Sequence, residues 1–169
     1  DYLRNQATDA RSLLQPTPQA NTLRQNQFGA TLGGPIKRDK TFFFMNYEGQ
    51  RRAESPTYPA ALVANLAAIN RAKAYLGLAP ENLDILKTAD RDNGFIKVDH
   101  QLNDRHRLSV RYNVEDARDL NQLVGNTLDG GGIGAPSSGH HVFLRDQSLA
   151  GNLSSTIGPN LANTGLIQY

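Results

Sequence analysis

Glu48, Arg111, Asn113 and Glu115 are the residues of this sequence whose placement suggests work on a solute. Each occupies the polar phase of a run in which apolar and polar side chains alternate. Each would then project into a hydrated interior, where charged and amide groups can line the path of a polar molecule. The same positions equally suit solvated wall residues. Other chemistries find less support. No Ser-His-Asp order, paired-carboxylate spacing or cofactor fingerprint occurs, so neither an enzyme nor a bound cofactor is expected. His140 and His141 could supply half of a metal site, but adjacent residues of an extended chain point apart, and the nearest carboxylate, Asp146, lies further on. No metal is expected. The Gly-rich run at 130–134 has the composition of a phosphate loop but lacks its lysine and opens no helix, which leaves a flexible loop as the better account. His100 reads as a strand-face residue near an interface, and His106 as a turn residue.

The elements that must position the four candidates are strands. Residues 108–115, Leu-Ser-Val-Arg-Tyr-Asn-Val-Glu, place every apolar side chain on one face and none on the other. Phe28, Ala30, Leu32 and Ile36 alternate with Gln27, Gly29, Thr31 and Gly33, up to the tight polar turn Lys37-Arg38-Asp39-Lys40. Pro35 stands at a strand end, where a missing donor is tolerated. The next run, Thr41 to Glu48, carries Phe43, Met45 and Tyr47 on one side and Phe42, Phe44, Asn46 and Glu48 on the other. Its first half is apolar on both sides, as expected where something packs against the inner face near one rim; Asn46 and Glu48 mark where that face becomes wet. Strand periodicity then disappears from Ala53 to Arg91, and Ala60 to Leu76 reads as a short amphipathic helix ended by Gly77.

Alternation resumes from Phe95 to Leu102 and turns through Asn103 to Arg107 into the run at 108–115. An aperiodic loop is expected from about Asp116 to Arg145. A further strand sets Leu149, Leu153 and Ile157 against Ser148, Asn152, Ser154 and Thr156, with Gly151 and Ser155 among the outward residues. Gly158-Pro159-Asn160 turns the chain into a last strand, Leu161 to Tyr169, whose register the pattern leaves open. With a strand end at Tyr2-Leu3-Arg4 and a first loop from about Asn5 to Leu23, the count is six or seven strands. Antiparallel order would put every short turn at one end and every long loop at the other, as in outer-membrane barrels.

Composition agrees with such a wall. Hydrophobic residues make up only 38% and aromatics 7%, with 15 Gly and 8 Pro, too little for a large dry core but enough for strands with one wet face. Net charge is +2 and the basic residues are scattered, so no nucleic-acid partner is expected. Cysteine is absent, which removes disulfides and thiolate chemistry. No run approaches the roughly 20 apolar residues of a membrane-spanning helix, whereas a barrel strand needs only about 9 to 11. Because it starts at Asp1 without Met or leader, the chain is read as a piece of a longer protein.

The stretch Asn26-Gln27-Phe28-Gly29-Ala30-Thr31-Leu32-Gly33-Gly34-Pro35-Ile36, the turn Lys37-Arg38-Asp39-Lys40, and Thr41-Phe42-Phe43-Phe44-Met45-Asn46-Tyr47-Glu48-Gly49 resemble the early barrel of the TonB-dependent receptor family. The likeness is greatest to its Oar-like branch, in which a carboxypeptidase-regulatory-like domain precedes plug and barrel. Tyr2-Leu3-Arg4-Asn5, Asp9-Ala10-Arg11 and the hairpin from Asp99 to Arg111 extend it over most of the chain. The resemblance implies an outer-membrane barrel of about 22 strands with an internal plug, drawing in scarce substrates with energy from the TonB complex. On that reading residues 1–169 are a partial antiparallel up-and-down barrel in the bacterial outer membrane, without the plug and remaining strands. Its partners are lipid, the TonB complex acting through the missing plug, and an unidentified solute: an iron chelate, oligosaccharide or peptide. Phe42 and Phe44 would meet the plug, and the four polar candidates could equally anchor it. A soluble all-β binding module is the alternative, as is a passive porin or adhesin barrel without a plug. The soluble module would have to cover roughly 15 to 20 apolar side chains, at about 1.5–3 kcal/mol each, with a second layer built from these same strands.

Overall fold

The computed structural model describes residues 2–5, 22–56, 58–122 and 134–169. Seven strands, β1 Tyr2–Asn5, β2 Leu23–Lys37, β3 Thr41–Glu54, β4 Lys87–Asn103, β5 His106–Gln122, β6 His140–Thr156 and β7 Ala162–Gln168, form one antiparallel sheet in which each strand pairs with its neighbours in sequence. Among the described residues one helix, α1 Ala60–Tyr75, lies between β3 and β4, and one 3-10 turn, Pro136–Ser138, precedes β6. The all-β, up-and-down expectation is met, with β1 as the seventh strand.

The strands outrun their apolar patterns. β3 continues to Glu54, β4 begins at Lys87 rather than Phe95, β5 reaches Gln122, and β6 starts at His140, so the loop expected over Asp116–Arg145 is much shorter. Most of the added stretches are polar on both faces, and the start of β6 sets Val142, Phe143 and Leu144 in succession, so none of them alternates. Backbone pairing needs no apolar side chain, and a ladder that continues beyond the greasy part of a wall loses its period-two signature while keeping its hydrogen bonds. The Gly-rich run at 130–133 lies outside the described residues, as does most of the first loop.

The chain folds as two units. One holds Phe28–Gly49, Arg91–Ala117 and Leu144–Tyr169, and contains all three short turns. Lys40 N donates to Lys37 O at 3.1 Å in the first, where Asp39 takes φ 59°, a left-handed conformation that Asp tolerates better than most residues. In the second, Asn103 Oδ1 accepts from the backbone N–H groups of Arg105 and His106, both at 3.0 Å. The third closes with Ile157 N donating to Leu161 O at 2.7 Å, and Gly158 supplies φ 77°. Pairing of β6 with β7 settles the open register: Leu153 faces Gly165, Gly151 faces Ile167 and Asn152 faces Leu166. Ile167 therefore joins the face of Leu149 and Leu153, in the space that Gly151 leaves.

The other unit holds Asp1–Gln27, Gln50–Asp90 and Arg118–Phe143, and with them the three long connections. Its β1–β2 ladder pairs Tyr2 with Gln27 and Leu3 with Asn26. Helix α1 follows Pro59 and ends in a Schellman arrangement: Leu78 N donates to Lys73 O at 2.8 Å and Gly77 N to Ala74 O at 3.1 Å, with Gly77 at φ 69°. The helix is not amphipathic in the sense expected. Leu62 is buried, yet Tyr75 is 92% exposed and its apolar residues are not gathered on one face. It is held by a small core in which Tyr58 and Leu62 meet Val63, Ile69, Leu83, Ile85 and Ala135.

Candidate functional site

In the unit that carries the turns, alternation sorts side chains onto two faces. Phe28, Leu32, Met45, Tyr47, Ile96, Val110, Tyr112, Leu149, Leu153 and Ile167 share the apolar face. Val110 and Leu153 are 38% and 40% exposed, so no other described residue seals them into a core. The run Gly94 to Leu102 covers about 26 Å of strand, or about 20 Å of height at a tilt near 40°, close to the ~25 Å apolar band of outer-membrane walls. Two tyrosines mark its upper edge: Tyr47 Oη donates to Asp92 Oδ1 at 2.5 Å and Tyr112 Oη to Gln147 Oε1 at 2.7 Å. An aromatic ring at a hydrocarbon boundary with its hydroxyl on a polar partner is the arrangement of an interfacial girdle. Between these tyrosines lies a depression of about 460 Å³, lined by Ala30, Leu32, Met45, Gly94, Ile96 and Val114.

Glycine has one specific use on this face. The Phe28 ring lies across Gly49, where an added Cβ would come within 2.5 Å of the ring. Phe28 also makes a tilted contact with Tyr47, ring centroids 6.3 Å apart. Gly49→Ala is expected to displace the ring and cost about 1–3 kcal/mol by overpacking. Phe28→Leu in the same chain should recover part of the loss. Urea midpoints of the single and double variants check this.

The opposite face is polar, apart from one aromatic group. Phe44 meets Phe95 edge-on, centroids 5.9 Å apart at 61°, and Phe42 and Phe44 remain 45% and 44% exposed. Nearer the turns Asp99 accepts from Lys97 at 3.0 Å, with Arg107 3.7 Å away. Beside the phenylalanines is a cavity of about 190 Å³ lined by Asn46, Asn93, Phe95, Asn113, Glu115, Asp146 and Ser148. Asn113 Nδ2 donates to Ser148 Oγ at 3.0 Å.

Of the four candidates from the sequence, Asn113 and Glu115 line this cavity. Glu48 and Arg111 stand on the same face by strand alternation but are not part of the lining. Asn93, Asp146 and Ser148 are not among the candidates, although Ser148 already stands in the polar phase of its strand. Asn93 lies just before the expected strand start at Phe95 and Asp146 just after the expected loop, so the signal that would have found these two is the same alternation carried a few residues further.

The histidines take structural places. His100 Nδ1 pairs with Thr41 Oγ1 and His106 Nδ1 with Ser155 Oγ, each at 2.8 Å. His141 lies 6.5 Å from the Phe143 ring. Among the described residues no group of three or more His, Asp or Glu side chains is placed to hold a metal.

In the unit of long connections, the one buried charged side chain among the described residues is Glu81, 8% exposed. Its carboxylate accepts from Lys73 Nζ at 2.6 Å, from Ser137 N at 2.9 Å and from the Ser137 hydroxyl. Asn70 holds its backbone, with Glu81 N donating to Asn70 Oδ1 at 2.7 Å. Burial raises the carboxyl pKa, but the hydrogen bonds from Lys73 and Ser137, together with the Lys73 charge, outweigh it and leave the pKa below its ordinary value. Nearby, burial pushes the Tyr58 hydroxyl up to about 12, with Glu81 and Asp84 adding to the effect. This cluster fastens the segment at 135–139 to α1, a contact across 56 positions of sequence that no local pattern announces.

Residues 1–72 match a family model described as an outer membrane beta barrel domain. No curated protein and no solved structure matches the chain. A meander of seven antiparallel strands with a girdled apolar face, matched over its first strands to that domain, is an outer-membrane β-barrel protein. Its place is the bacterial outer membrane, and its apolar face meets lipid. Among the described residues no helix is long and apolar enough to cross a membrane.

Proposed function

We propose that these strands belong to the barrel of a TonB-dependent transporter, similar to the Oar-like branch, that draws a scarce solute through the outer membrane. Energy reaches a plug inside the barrel from the TonB complex, and the role is transport without catalysis. β1 and β7 stand at the two edges of the sheet, and an unpaired edge in hydrocarbon leaves a row of unsatisfied backbone groups. Residues 1–169 are therefore proposed as one part of a larger closed wall.

The observation that carries the reading is the exposure of Phe42 and Phe44 on the otherwise polar face. A water-filled channel gives such rings nothing to pack against. A plug lying against that end of the wall would bury them, at about 1.5–3 kcal/mol for each ring fully covered. The likeness of residues 26–49 to the early barrel of the family points the same way.

Because these 169 residues contain no cysteine, single thiols can report the covering directly. In the full-length protein, Phe44→Cys is expected to react with a membrane-impermeant thiol reagent at least tenfold more slowly than Gln101→Cys, and solute uptake should stop when a protonophore collapses the inner-membrane gradient. Equal labelling with gradient-independent uptake would mean a passive porin.

A further inference from the structure

We propose that the cavity formed by Asn46, Asn93, Asn113, Glu115, Asp146 and Ser148 is a subsite for one ring of a neutral oligosaccharide. The inference rests on the transporter reading above and names the substrate class.

Its first support is unspent hydrogen-bonding capacity. Among the described residues, Asn46, Asn93, Glu115 and Asp146 have no side-chain hydrogen bond or ion pair, although all four line one cavity. Only Asn113 and Ser148 are joined, at 3.0 Å, and that bond leaves the Asn113 carbonyl and the Ser148 hydroxyl proton available.

The second support is the kind of capacity offered. Carboxamides give and accept, carboxylates only accept, and the serine hydroxyl does both. A sugar hydroxyl likewise gives and accepts, so each finds a partner here whichever way it turns. Phe95 closes one side of the cavity with an apolar ring, as required by the C–H face of a pyranose. A volume of about 190 Å³ suits a single ring rather than a bulky chelate.

The third support is charge. Among the described residues two carboxylates and no cationic side chain line the cavity, so an anionic iron chelate would be repelled. A basic peptide would answer the carboxylates, and its backbone amides the carboxamides, but an extended backbone offers no ring face to Phe95. The oligosaccharide is the ligand that engages carboxylates, carboxamides and ring together.

The test uses the full-length protein in detergent micelles, with maltohexaose, cellohexaose and xylohexaose as probes and tetralysine as the competing ligand, followed by saturation-transfer NMR and calorimetry. At least one hexaose should bind, and Asn93→Ala and Glu115→Ala should each weaken it tenfold or more. Glu115→Gln, which keeps the shape and still accepts from a hydroxyl, should weaken it less than Glu115→Ala; it also serves as the variant least able to disturb folding. Gln101→Ala, on the same face nearer the turns, should leave binding unchanged. Absence of binding by all three hexaoses, indifference of binding to Asn93→Ala and Glu115→Ala, or tetralysine binding that falls equally with Gln and Ala at position 115 would each overturn the assignment. Binding in micelles needs no energy source. Uptake insensitive to a protonophore with binding intact therefore removes the transporter reading alone, and energy-dependent uptake without hexaose binding removes the subsite alone.

Discussion

Glu81→Ala is expected to free the segment around Ser137 from α1, with a loss of about 3 kcal/mol in the local stability of the long connections. The substitution removes acceptors from Lys73 and Ser137 together, and taking one partner from a largely buried pair leaves the other without compensation. The Lys73 side chain is 17% exposed and can recover some hydration, so the effect should fall at the lower end of what such removals cost. Hydrogen exchange is the measurement: amides at 60–78 and 135–139 should exchange at least tenfold faster, with the β4–β5 ladder unchanged. Unchanged protection at 135–139 would show that the carboxylate does not hold the segment. The same contact gives a pH dependence. Since the Glu81 pKa lies below its ordinary value of 4.5, its contribution is complete above that value and is lost as pH falls through the lower folded value. The segment should thus stay fastened at neutral pH and loosen only in acid.

Val110→Arg should cost about 2–4 kcal/mol of folding stability in lipid vesicles, because Val110 lies midway along the apolar run of β5, where a cation would be held in hydrocarbon. The neighbouring position already contains an arginine. Arg111 points to the other face, and Arg111→Val should change stability by about 0.5 kcal/mol or less, as for an ordinary wetted position. Urea titration of the full-length protein in vesicles would compare the two. A loss at 111 equal to that at 110 would mean that the two faces have been assigned the wrong way round.

The parts of this fold that were legible in sequence are those where one face meets hydrocarbon. From Phe28 to Ile36 and from Leu108 to Glu115 the alternation gave strand, face and direction at once, and the polar or Gly-rich breaks at 37–40 and 158–160 gave the turns. Legibility ended where the strand ends lose their period, since 118–122 is mostly polar and 140–144 sets Val142, Phe143 and Leu144 side by side. Leu166 and Ile167, adjacent and both apolar, could not reveal which of them faced lipid until pairing with Asn152 and Gly151 decided it. The α1 sequence suggested an amphipathic face, yet its place is set by Leu62 and the Lys73–Glu81–Ser137 contact, which depends on residues far apart in the chain. Half of the candidate cavity was foreseen for the same reason that the strands were: Asn113 and Glu115 lie inside a clean alternating run, whereas Asn93 and Asp146 lie at its margins.

The unbroken order from β1 to β7 bears on how such a wall is made. No strand waits for a distant one to be inserted beside it, so closure entropy is met in small instalments and the sheet can lengthen by whole hairpins as the polypeptide is delivered. Each new hairpin docks on the exposed rim left by the one before.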